Sequence, residues 1–291
     1  LIPNPIHKVL STFQSCKVHA LLMGGQACVF YGGAEFSRDT DFAILADEAN
    51  LARMAEAVRF LQADVIAVPP FSMQHLLDGH AVHFRCQHPE AKGMRVDVMA
   101  RMRGVADFDL LWERRTTLEG ADGTLYDLMS LPDLVQAKKT QRDKDWPMIR
   151  RLIESDYAAC KSDPTAAQAR FWLAEARTPE LLIELARQHV KDASASSRPA
   201  VIAAIHGDES LVQVALDSEE RTERLADGAY WEPLKRELEQ LSDVPENSRR
   251  LTSFPEQERQ EVTHLFLCDR GFEAVGHEGA VEGLHVFDGA A

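Results

Sequence analysis

The chain has 291 residues, is 45% hydrophobic and carries a formal net charge of −14. That is enough chain to bury a sizeable core, most simply in two domains. The acidic balance excludes a non-specific nucleic-acid binder, which needs clustered Lys and Arg to neutralise phosphates.

The charge is uneven, net −3 over residues 1–160 and net −11 over residues 161–291. Phosphate chemistry therefore has to use a local basic patch or a metal, while the acidic half keeps the chain soluble or faces a basic partner. No apolar run approaches 18 residues, and no charged-then-apolar leader precedes residues 2–10, so the expectation is a cytoplasmic protein without a membrane span. Cys16, Cys28, Cys86, Cys160 and Cys268 are odd in number, widely spaced and lack a CxxC pair, which fits reduced thiols rather than a disulfide framework.

In chain order, residues 5–17 read as a short helix. "VHALLMGG" (18–25) reads as a buried strand ending in glycines, and "QACVFYGG" (26–33) as a helix closed by Gly32 and Gly33. "DFAILAD" (41–47) is a second strand, followed by an amphipathic helix over 48–62 and a short strand at 64–70 stopped by prolines. "HAVHFRCQ" (80–87) and "MRVDVMA" (94–100) alternate as strands, with "HPEAKG" as the turn between them. Strands interleaved with helices, plus one hairpin, predict an α/β (α+β) fold with a mixed β-sheet. From residue 131 the pattern turns helical, over 131–141, 146–159, 165–176 and 178–190, with weaker segments to 241. "KDASASSRP" (191–199) reads as a loop, and the last 40 residues are poorly patterned.

Three features carry chemistry. Strand alternation puts Asp39 and Asp41 on one face and Thr40 and Phe42 on the other. Two carboxylates so close raise each other's pKa unless a cation lies between them, and oxygen ligands at this spacing suit Mg²⁺ or Mn²⁺. Two further Asp-x-Asp triplets, at 107–109 and 143–145, lack this context: only Asp39/Asp41 opens an apolar strand and follows a glycine pair. Asp97 interrupts a later strand between Val96 and Val98, on the same face as Arg95 and Met99. It reads either as an Asp on a solvated sheet face beside Arg95 or as a third ligand. Three carboxylates around two divalent cations is the arrangement for in-line nucleotidyl or phosphoryl displacement.

Gly24 and Gly25 let a helix N-terminus present bare N–H groups to a polyphosphate with no Cβ in the way; the plainer reading is a tight strand–helix turn. Thirteen residues separate Gly25 from Asp39, enough for about two helical turns and a return. "KKTQRDKDWPMIRR" (138–151) holds six basic residues against two acidic ones, with Lys138 and Arg142 expected on one helix face. Pro147 suits the first turn of a following helix. His80, His83, Cys86 and His88 invite a zinc reading but read better as surface histidines and a packed thiol. Trp172, with Phe171 and Leu173, reads as helix core.

These residues resemble the nucleotidyltransferase superfamily that shares the polymerase-beta palm. Its pattern of apolar strand, Gly-Gly or Gly-Ser, Asp-x-Asp and a third Asp on a later strand is matched by "LLMGG", "RDTDFAIL" and "RVDVM". The closer likeness is to stand-alone bacterial nucleotidyltransferases of the abortive-infection toxin (AbiEii-like) type. These show Ser/Thr-x-Asp-x-Asp, matched from Ser37, and a later Leu-x-x-x-Lys…Arg-x-Lys-Asp, matched by "LVQAKKTQRDKDWPMI". Thr40 stands where a bulkier apolar residue is common, and Gly25 where many relatives have Ser. The likeness covers residues 18–150.

The resemblance implies a metal-dependent enzyme that moves an NMP from an NTP to an acceptor hydroxyl with loss of pyrophosphate. It implies Asp39, Asp41 and Asp97 as catalytic residues holding two Mg²⁺ (or Mn²⁺) ions, with Asp97 able to take the acceptor proton. Gly24, Gly25, Ser37, Arg38, Lys138 (or Lys139), Arg142 and Lys144 would meet the nucleotide. It implies a catalytic domain over 1–125 and a basic helical segment over 126–160. An acidic helical domain over 161–250, open to a protein partner, and a tail over 251–291 complete the expectation. The acceptor, whether tRNA, protein or small molecule, is left open. So are a catalytically weak nucleotide-binding, toxin–antitoxin-like module and a phosphohydrolase of the same fold.

Overall fold

The computed structural model describes residues 4–120 and 123–243; the poorly patterned segment 251–291 lies outside the described residues. Helix α1 (Asn4–Ser15) leads into strand β1 (Ala20–Met23), and α2 (Gly24–Phe30) starts directly at the glycine pair. Strand β2 (Asp39–Ile44), α3 (Glu48–Phe60), β3 (Ala63–Val65), α4 (Met73–Asp78), β4 (Val82–Cys86) and β5 (Arg95–Met99) follow, the last two joined through a 3-10 turn at Pro89–Ala91. Then come α5 (Phe108–Arg114), β6 (Thr116–Glu119) and β7 (Leu125–Leu128).

The seven strands form one mixed sheet in the order β3-β4-β5-β2-β1-β7-β6. Strand β2 runs antiparallel to β1 and parallel to β5, and β7 runs parallel to β1. The expected α/β class with a mixed sheet is what the chain adopts. Alternation in β2 holds: Thr40 and Phe42 are buried while Asp39 and Asp41 face the other way, partly accessible. Under β2 the Phe42 ring stacks on Phe13 of α1 with centroids 4.5 Å apart. Burying such a side chain contributes about 1.5–3 kcal/mol.

One buried polar group ties this layer together. The Asn50 side chain in α3 accepts from His19 N at 2.7 Å and donates to His19 O at 3.0 Å and Leu45 O at 2.9 Å. Those backbone groups lie just outside the ends of β1 and β2, where His19 O still takes a backbone bond from Leu45 N at 3.1 Å and the Asn50 amide serves the rest. Asp47 caps α3 by accepting from Asn50 N, so the turn between β2 and α3 is held from both sides.

The helical half comprises α6 (Leu131–Ala137), α7 (Asp145–Cys160), α8 (Ala166–Glu175), α9 (Pro179–Gln188), α10 (Val190–Ser194), α11 (Pro199–Ile205) and α12 (Glu209–Asp243). A Thr165/Gln168 capping box opens α8, and prolines sit in the first turns of α6, α9 and α11. Trp172 and Leu173 are core, as expected, with Trp172 edge-on to Tyr157. None of the described helices is long and apolar enough to cross a membrane.

Three expectations are corrected. The helix expected over 131–141 stops at Ala137, and Lys138 to Lys144 form a turn before α7. Lys138 and Arg142 therefore do not share a helix face; what brings them together is Asp145, described below. The stretch 191–199 is not all loop, since α10 occupies its first part. His80 and His83 are buried rather than on the surface, each 1% exposed. The thiols of Cys28 and Cys86 are packed, as expected.

Candidate functional site

The carboxylates meet because β2 and β5 are neighbours in register. Asp41 is paired with Asp97, and Asp39 with Arg95. On the far side of β5, His83 of β4 is paired with Asp97. One row across the sheet thus reads His83, Asp97, Asp41, and the row beside it contains Arg95 and Asp39.

Helix α2 delivers the glycine pair to the same place. Its two turns match the spacing between Gly25 and Asp39, and the chain returns through Phe36, Ser37 and Arg38. Gly24 has φ +64°, and a Cβ there would stand 1.9 Å from Asp41 Oδ2; one on Gly25 would stand 2.6 Å from Ser37 Oγ. Both positions exclude a side chain, because the backbone lies directly against the Asp-bearing strand and its lead-in. Ser37 Oγ in turn donates to Asp39 O at 3.1 Å, fixing the turn into β2.

Basic side chains reach the cavity through Asp145. This carboxylate, 2% exposed at the start of α7, accepts from Lys138 Nζ at 3.2 Å, Arg142 Nε at 2.8 Å and Thr140 Oγ1 at 2.6 Å. Burial would push its pKa up, but Lys138, Arg142 and Thr140 outweigh that and hold it well below the usual carboxylate range. Lys138 stays charged for the same reason, with Asp145 outweighing burial. Lys139 turns instead to Glu175 of α8, at 2.8 Å. Of the two lysines, Lys138 is the one whose charge is felt by Asp41.

All ten residues named from the sequence border one cavity of about 340 Å³. Gly24, Gly25, Ser37, Arg38, Asp39, Asp41, Asp97, Lys138, Arg142 and Lys144 all line it. Also lining it are Asp145, which closes the Arg-x-Lys-Asp group, and residues that the sequence did not single out: Arg103, and Asp227 and Trp231 from α12. The latter pair are four apart on one helix face, and α12 is tied over the cavity by a chain of polar contacts. Asp227 accepts from Gln141 N at 2.9 Å and lies 3.4 Å from Arg103, Arg103 donates to Glu223 at 2.7 Å, and His80 Nε2 lies 2.7 Å from Glu237. These acidic side chains of the helical half are engaged within the chain.

The two central carboxylates differ in acidity. Asp41 is pushed up to about 6 by burial and by repulsion from Asp97 and Asp39, with Lys138 and Arg142 opposing. Asp97 is also buried, but His83 and Arg95 outweigh this and hold it down to about 2. Asp97 Oδ1 accepts from Arg95 Nε at 2.9 Å and lies 2.8 Å from His83 Nδ1. Asp97 thus faces the other carboxylates and is paired with Arg95, on a sheet face that is largely buried rather than solvated. Among the described residues no group of three or more His, Cys, Asp and Glu side chains forms a ready-made metal site.

His83 had a signal in the sequence: with Arg85 it makes the polar face of β4, whose Val82, Phe84 and Cys86 are buried on the other. Asp227 and Trp231 had none, lying some 130 residues beyond Asp97 on a helix whose docking no local pattern reveals. The chain matches no protein-family model and no curated protein.

Proposed function

We propose that this cavity is the active site of a metal-dependent nucleotidyltransferase, which moves an NMP from an NTP to an acceptor hydroxyl and releases pyrophosphate. The observation that carries the reading is the convergence of three separate sequence features on one cavity: the glycine pair, the three carboxylates and the Lys138–Lys144 turn.

The residues present fit divalent cations. The Asp41 carboxyl is raised to about 6 by burial and by Asp97 and Asp39, which Lys138 and Arg142 only partly offset, so a cation beside it would relieve that repulsion. Asp39, Asp41 and Asp97 would hold Mg²⁺ or Mn²⁺. A bound cation would supply charge neutralisation at the phosphate oxygens and at the attacking oxygen.

The chain's own groups do the rest. Gly24 and Gly25 let the triphosphate approach the backbone, and Lys138 and Arg142, held in place by Asp145, offset its charge. The acceptor oxygen bonds to the α-phosphorus as the bond to the pyrophosphate oxygen breaks, and the hydroxyl proton leaves to water. Asp97, which His83 and Arg95 hold down to about 2, is ionised near neutral pH and would help to hold positive charge. The ordered turn around Asp145 fixes the cations before substrate arrives, which limits reorganisation.

Incubating the protein with Mg²⁺, each α-labelled NTP and a cell extract, then sorting label among RNA, protein and small molecules, tests this and names the acceptor. Asp41→Asn is expected to abolish transfer. Equal transfer by that variant would overturn the assignment of the carboxylates. Binding of Mg·NTP without transfer would favour a binding module, and orthophosphate release without pyrophosphate a hydrolase.

A further inference from the structure

The third carboxylate is already committed in this structure, and to a cation of the chain itself. Arg95 precedes Asp97 by two residues on β5, so both side chains leave the same face of the sheet. Its Nε–H meets Asp97 Oδ1 at 2.9 Å, and its Nη2 lies 3.1 Å from His83 Nδ1. Arg95 is also the register partner of Asp39, and it lines the cavity. A guanidinium therefore lies among the carboxylates on which a divalent cation would draw. Asp39 and Asp41 lie on the neighbouring strand β2, Asp39 level with Arg95 and Asp41 level with Asp97.

We propose that Arg95 is a built-in counter-cation, which withholds Asp97 from divalent metal until a nucleoside triphosphate is present to take the guanidinium. The proposal rests on the reading of the cavity as a nucleotidyltransferase site. Its physical basis is competition. A guanidinium and a divalent cation both draw on Asp97, and two positive charges held close to one carboxylate repel each other, so each weakens the other's hold. A triphosphate resolves the conflict, because planar bidentate donors bind phosphate oxygens as well as they bind carboxylate. The free site then takes a cation through Asp39 and Asp41 alone, and the Asp97 position fills only with nucleotide. Such an arrangement ties assembly of the full site to the arrival of its substrate. His83, 1% exposed and 2.8 Å from the same Asp97 oxygen, keeps the carboxylate aimed while Arg95 changes partner.

Mn²⁺ binding, counted by electron paramagnetic resonance on the full chain, tests the proposal without relying on turnover. Wild-type protein should bind at most one Mn²⁺ without nucleotide and two with a non-hydrolysable α,β-methylene NTP. Arg95→Met keeps the aliphatic stem and removes the charge; it should bind Mn²⁺ at least tenfold tighter without nucleotide and take up a second ion. The double variant Arg95→Met/Asp97→Asn should lose that gain. If the double variant keeps it, the effect is general charge removal and the proposal is overturned. Two ions in nucleotide-free wild type would overturn it as well, a result that stands even if the variants fail to fold. If no Mn²⁺ binds with or without nucleotide, the metal-dependent reading of the site falls, and the inference with it.

Discussion

Removing the Asp41 charge should stabilise the metal-free protein while abolishing its proposed activity. Burial, Asp97 and Asp39 raise the Asp41 carboxyl from an ordinary 3.8 to about 6. A carboxyl whose folded pKa exceeds its unfolded one favours the fold only while protonated. Its contribution is complete below about 3.8 and is lost as pH rises through about 6. At pH 7.5 ionised Asp41 therefore costs the fold up to about 3 kcal/mol, at about 1.36 kcal/mol per unit. At pH 4.5 the same linkage leaves a cost of about 1 kcal/mol. Asp41→Asn keeps the shape and removes this cost. In a chain of this size about 1 kcal/mol shifts Tm by roughly 2–4 °C. Calorimetry in EDTA should thus show the variant melting several degrees above wild type at pH 7.5, with the gap shrinking toward pH 4.5. Added Mg²⁺ should raise the wild-type Tm at pH 7.5 and leave the variant unmoved. A variant less stable than wild type at pH 7.5, or a gap that ignores pH, would refute the claim that Asp41 is a charge awaiting a cation.

Gly24→Ala should cost more than a helix-start glycine normally does, because φ is +64° and the new methyl would stand 1.9 Å from Asp41 Oδ2; label transfer should fall at least a hundredfold while the circular-dichroism spectrum stays folded. Asp145→Ala removes the acceptor of Lys138, Arg142 and Thr140. It should weaken Mg·NTP binding tenfold or more by titration calorimetry, and unchanged affinity would show that the turn is not preorganised by Asp145. Asn50→Ala leaves His19 N and Leu45 O without their side-chain partner, while His19 O keeps its bond from Leu45 N. It should lower unfolding free energy by about 2–4 kcal/mol in urea melts, at 1–3 kcal/mol per unsatisfied buried group, with little effect on transfer per folded molecule.

What was legible in the sequence follows from what local chemistry controls. Alternation in "DTDFAI" sorted Asp39 and Asp41 from Thr40 and Phe42 because a strand buried on one face cannot slip without exposing its apolar set. The return from Gly25 to Asp39 was legible because the length of α2 follows from its spacing. The Lys138–Lys144 turn was misread as helix because its sequence has good helix formers. The decisive term is the buried Asp145, which draws Lys138, Thr140 and Arg142 onto one carboxylate and so bends the chain. Arg95 was legible as a partner of Asp97 because the two are alternate residues of one strand, whereas His83 was not, since only the β4–β5 register makes it a neighbour of Asp97. Asp227 and Trp231 come from the docking of α12, set by contacts such as Arg103 to Glu223 that span more than 100 residues.

The most direct test of the whole account uses one NTP labelled in parallel at the α- and the γ-phosphorus, with Mg²⁺ and the acceptor fraction found by sorting. The account predicts that α-label becomes covalently attached to the acceptor while γ-label leaves as pyrophosphate, and that Asp41→Asn stops both. Attachment of γ-label, or release of γ-label as orthophosphate with none of the α-label attached, would contradict it.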